Sequence, residues 1–161
     1  MNTECSRIAD QLRRAFSGNA WHGPALRELL ANVTAEQAVA SPLPAAHSIW
    51  ELVLHIEVWA HAAREATKGT PMPKIVGTEE DWRSAGNSAA AWTSTQDRLF
   101  STAEQLAQAV ERFGDDRLQE IVPGRKYDFY YLFHGIVQHS LYHGGQIGML
   151  KKAVVSSAAA N

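Results

Sequence analysis

Cysteine is almost missing from this chain. Among 161 residues there is one, Cys5, and it cannot form an internal disulfide. That argues against a disulfide-stapled secreted scaffold and for a reducing, cytoplasmic setting. Long apolar runs are missing too: stretches such as 88–92 and 147–150 fall far short of the roughly 20 residues a membrane helix needs. The opening residues lead through Cys5 to Asp10, Arg13 and Arg14 without an apolar segment, so no secretory signal is expected. Neither sign of charge is in excess. Fifteen Lys and Arg face seventeen Asp and Glu, the net charge is −2, and no basic stripe forms, so no grip on nucleic acid is expected. Alternating strand patterns and Asn-Gly or Asp-Gly hairpin turns are absent as well.

What remains is helical periodicity in a chain long enough for one domain, spanning 1–161. A first helix is expected from Thr3 to Phe16, with Ile8, Leu12 and Phe16 on one face. The turn Trp21-His22-Gly23-Pro24 leads into a short helix in which Pro24 suits the first position. Thr34 and Gln37 form a capping-box pair for another helical turn, and Ser48 with Glu51 forms the same pair for a second long helix. That helix turns Leu52, Ile56, Trp59 and Ala63 inward and ends before Gly69. A connection of roughly 15 residues follows, and connections of that length often shape a site. The third long helix spans about Asn87 to Phe113, with Trp92, Gln96, Leu99, Ala103, Leu106, Val110 and Phe113 as its inward stripe. A fourth runs from about Phe129 to Lys152, and 153–161 read as a frayed tail. Four such helices with one apolar stripe each make an all-α four-helix bundle, with short extra helical turns between the first and second.

Seven histidines are unevenly spread. On the fourth helix Leu132, Ile136, His139, His143, Gln146 and Leu150 step by 4, 3, 4, 3, 4, the seam of a bundle helix. His139 and His143 are therefore neighbours on the inner face, a spacing at which two imidazoles hold one divalent ion. On the second helix Leu52, His55 and Trp59 keep the same rhythm. One histidine on an apolar stripe is usually a core residue bonded to a carbonyl. Three buried imidazoles each need a partner, and one cation serves all three. Three histidines with an open position are how catalytic zinc is commonly held. A di-iron site is disfavoured because no Glu stands three residues before any histidine, and the zincin pattern fails because Ser140 replaces its Glu.

His134 falls on the far side of its helix and His61 off the face of His55. His22 and His47 sit beside turns and are candidates for the mouth of the site. Gly144, Gly145 and Gly148 are read as continued helix with close backbone approach. The tryptophans at 50, 59, 82 and 92 read as core and loop anchors. Cys5 carries little promise as a nucleophile.

The segments 48–55 and 134–147, the latter ending His-Ser-Leu-Tyr-His-Gly-Gly-Gln-Ile, resemble the DinB/YfiT-like metalloenzyme family. The likeness covers nearly the whole chain, and the closing segment is its specific part. It implies an up-down-down-up bundle, a homodimer, and nickel or zinc on His55, His139 and His143. Characterised members of that family include metal-dependent transferases and an isomerase that use low-molecular-weight thiols. The expectation is a metal-dependent enzyme acting on a small molecule, transferase-like or hydrolase-like, that activates a thiol or water. Gln146, Trp59 and Tyr142 are candidates to support the ligands or line the pocket, with Tyr142 and Glu57 as guesses for a general base. The alternative is a non-catalytic metal-binding protein with a structural or stress-response role, and a third reading has no metal.

Overall fold

The computed structural model describes residues 3–159, with side chains through Val155. Among these residues the chain forms six α-helices and no strand beyond a single bridge between Ile121 and Asp128. Helix α1 (Glu4–Ser17) starts where the Thr3 hydroxyl accepts from the Ser6 amide. Its first two amides, Glu4 and Cys5, donate to the Asp115 carboxylate at 2.9 Å each, which holds that carboxyl below its ordinary range. The Cys5 thiol, buried beside the same carboxylate, is pushed up to about 11 and is no nucleophile at neutral pH.

Helix α2 (Leu26–Leu30) begins two residues after Pro24, not on it: Ala25 is the cap, and its amide donates to Glu28 Oε2 at 2.7 Å. Helix α3 (Ala35–Val39) and helix α4 (Ile49–Thr67) both open with reciprocal capping boxes, Thr34 with Gln37 and Ser48 with Glu51. In α4 nearly every residue from Ile49 to Glu57 is buried, because neighbours cover the helix all round. Helix α5 (Ala89–Glu111) buries Thr95 where Gln96 was expected; the Thr95 hydroxyl takes the indole N–H of Trp50 at 3.2 Å, so a hydroxyl fits the apolar stripe. Helix α6 (Phe129–Ala159) runs past Lys152, so residues 153–159 are helical and not a frayed tail; Ala160 and Asn161 lie outside the described residues.

The long helices form a ring in which α1 and α4 each pack against both α5 and α6. Glu4 meets Asp115 and Arg13 meets Glu104 and Glu111, so α1 and α5 run in opposite senses. Trp50 meets Thr95 and Arg64 meets Gln105, so α4 and α5 run in the same sense. Parallel neighbours need a long crossover, and residues 68–88 supply it. That segment is pinned rather than loose. The Met72 amide donates to Pro123 O at 2.9 Å, Ile75 is buried, and Arg83 donates to Leu54 O at 3.1 Å and to Glu57 Oε2 at 2.6 Å. The crossover is thereby laid across the middle of α4, beside His55.

Candidate metal centre

His55 projects from α4 toward α6, where His139 and His143 stand one turn apart. One ring nitrogen from each lies within 4.8 Å of the others. His55 and His143 are buried and His139 half-buried. The outer nitrogens fix the tautomers. His55 Nδ1 lies 2.8 Å from Asp81 O, which can only accept, so this nitrogen carries the proton and Nε2 keeps its lone pair. Asp81 Oδ1 stands 3.2 Å from the same nitrogen without a hydrogen bond of its own, because the one proton is directed at the carbonyl. His143 Nδ1 donates to Gln146 Oε1 at 2.6 Å, which frees its Nε2 in the same way. His139 Nε2 is 2.9 Å from His55 Nε2, and its Nδ1 is buried without a protein partner.

Burial first, and then the proximity of the other two rings, pushes His139 down to about 3. His55 and His143 are lowered too, with burial again the largest cause; the Asp81 carbonyl and Gln146 pull the other way. Three neutral imidazoles with converging lone pairs suit a borderline divalent cation such as zinc or nickel, whose binding needs deprotonated nitrogen. A pair of bare nitrogens 2.9 Å apart is otherwise stable only with a proton between them. The group can hold a metal ion.

The crossover contributes the rest of the wall. Trp82 lies flat on the His55 ring, centroids 4.1 Å apart and planes 2° from parallel, and its opposite face carries His47 at 3.4 Å. Trp59 stands 5.8 Å from His139 and Tyr142 edge-on to His143 at 5.0 Å. Two cavities meet at Trp82, Tyr142 and His143. One, of about 450 Å³, includes His55, His139, Trp59 and Gly135 in its lining; the other, of about 470 Å³, includes His47, Leu52 and Gln146. A larger cavity, about 670 Å³, lies away from the histidine group along Leu26, Leu29 and Gly144.

The structure thus brings together His55, His139, His143, Gln146, Trp59 and Tyr142. His47 borders the site as expected, while His22 lines the remote cavity instead. His134 points to α1, 3.8 Å from Glu4, and His61 is exposed. Glu57, guessed as a general base, is among the lining residues of neither cavity at the histidines and is held by Arg83 in a half-buried ion pair. Glu51 does not reach His55, since its carboxylate caps Ser48. Asp81 was missed, and Trp82 proves to be part of the site rather than a mere loop anchor. The length of the crossover was the one signal for either.

A family model described as the DinB superfamily matches residues 20–147, a span that contains all three histidines and both walls of the site. The chain belongs to the DinB superfamily. Neither a curated protein nor a solved structure matches it. A DinB-superfamily chain is a helical bundle, as found here, and its buried histidine cluster is compatible with metal binding. Among the described residues no helix is long and apolar enough to cross a membrane.

Proposed function

We propose that this DinB-superfamily chain is a metal-dependent enzyme that holds nickel or zinc on His55, His139 and His143 and acts on a small molecule, transferase-like or hydrolase-like. The observation that carries the reading is the cavity: the histidines line an open cavity of about 450 Å³, where a purely structural ion would be sealed by a fourth protein ligand. A divalent cation at such a centre supplies Lewis acidity and lowers the pKa of a thiol or water beside it. The chain's own residues do the positioning. Asp81 O and Gln146 Oε1 hold two rings by their outer protons, and Trp82 keeps His55 from tilting. The low-molecular-weight thiol and the homodimer belong to this proposal as well.

Mass spectrometry of metal in chelator-free protein, run beside His55→Ala, is the first test. About one nickel or zinc per chain is expected, falling to near zero in the variant. Cobalt-loaded protein titrated with a small thiol should then gain a thiolate-to-cobalt absorption band. A band-free titration of fully loaded protein would favour a non-catalytic metal-binding role, and a metal-free chain after incubation with excess zinc or nickel would remove the chemistry altogether.

A further inference from the structure

The cavity beside the histidines has walls that discriminate among substrates, and this inference rests on reading that cavity as the substrate face of the centre. Five of its lining residues are aromatic: Trp59, Trp82, Tyr127, Tyr131 and Tyr142. No lysine or arginine lines it, and its one acid, Asp81, takes the Gly77 amide on Oδ2 and stands beside His55 with Oδ1 unpartnered. Apart from an ion held by the histidines, the walls offer no counter-charge to offset the hydration that a carboxylate or phosphate would lose on entering. A flat uncharged ring would instead exchange water for aromatic faces and edges.

One further observation bears on the ligand. Gly135 lines the chamber from within α6, and a Cβ built there would meet nothing within 4 Å. Glycine in a helix interior is disfavoured, and no neighbour demands it at this position, so its effect is to leave room in the chamber.

We infer that the chamber takes an uncharged, flat aromatic molecule, its ring against the aromatic walls and in the room that Gly135 leaves. Two naphthalenes of nearly equal shape test this: 2-acetylnaphthalene and 2-naphthoate, measured by equilibrium dialysis on the protein as purified and after chelation. The ketone should bind in both, with Kd of roughly ten to a hundred micromolar. On chelated protein the carboxylate should be weaker than the ketone by at least tenfold.

Gly135→Leu should weaken the ketone at least tenfold, and Gly145→Leu, equally free of neighbours but outside this chamber, should leave it unchanged. Equal binding of ketone and carboxylate to the chelated protein, an unaffected Gly135→Leu, or no ring binding at all would each overturn the inference. Because the ketone is tested without metal, the two readings fail separately. A metal-free chain that binds the ketone sinks only the metal centre, and a metal-loaded chain that ignores it sinks only this assignment.

Discussion

Each imidazole of the centre meets something different at its outer nitrogen, and this sets how each should respond to change. His143 depends on a side chain, Gln146 Oε1, so Gln146→Leu removes its acceptor outright. His55 depends on the main-chain carbonyl of Asp81, which survives any side-chain substitution there. Competition against a chromophoric chelator should therefore show a loss of about 10–100-fold in zinc affinity for Gln146→Leu, the usual effect of removing a group that orients a ligand. Asp81→Asn should change it by less than about tenfold, since the hydrogen-bonded carbonyl remains. The reverse ranking would mean that the carboxylate, not the carbonyl, orients His55. The depressed basicity of His139 gives a second prediction. Its ordinary value is 6.5 and burial takes it to about 3, so between those values the unfolded chain binds a proton that the folded chain refuses. Stability of the metal-free protein must then fall as pH is lowered from 6.5 toward 3 and recover as it is raised. Urea midpoints in chelator should be lower at pH 5 than at pH 7, and His139→Leu should flatten the difference. Equal midpoints in the parent would refute the buried neutral imidazole.

At the scale of elements, the repeat of apolar and polar positions told more than any single residue. The 4-3 rhythm on α6 placed His139, His143 and Gln146 on one face, and capping pairs located the starts of α3 and α4. The same rhythm missed Thr95, because a buried hydroxyl taken up by Trp50 cannot be told from a surface one by composition. It also ended α6 too early. The helix continues through Gly144 and Gly145, but not through close backbone approach: a Cβ at Gly144 would sit 3.6 Å from Leu26 Cδ2, ordinary contact, and one at Gly145 would meet nothing. Gly145→Ala should accordingly raise stability by up to about 1 kcal/mol, the difference in helix propensity. Gly86→Ala should do the opposite. There a Cβ would stand 2.6 Å from Trp50 Cζ2, and Trp50 is fully buried, packed on Trp92 and bonded to Thr95. An expected loss of about 1–3 kcal/mol follows from overpacking a ring that cannot move away. Denaturant titration of the two variants checks both signs at once.

At the scale of the whole molecule, the bundle supplies the three histidines and the crossover supplies their setting. Asp81 and Trp82 lie in an irregular segment without period, 26 residues along the chain from His55 in the case of Asp81. Their position is fixed by long-range ties, Arg83 to Glu57 and Met72 to Pro123, that no local pattern announces. For that reason the clustering of the three histidines was legible in the sequence and half of their surroundings were not. This division has a thermodynamic consequence. The histidines come from two helices far apart in sequence, and the crossover rests on one of them, so the unfolded chain has no preassembled site and an ion should bind the native state alone. Zinc at about one hundred times its Kd should then add about 2.7 kcal/mol to the unfolding free energy. For a chain of this size that is a rise in Tm of roughly 5–10 °C. His143→Ala should show almost none of it, whereas Arg83→Ala should start from a lower Tm, because it leaves Glu57 buried without its partner, and still gain most of the rise. A zinc-induced rise that persisted in His143→Ala would place the ion elsewhere on the molecule. A rise abolished by Arg83→Ala would mean that the crossover is needed to build the site and not only to cover it.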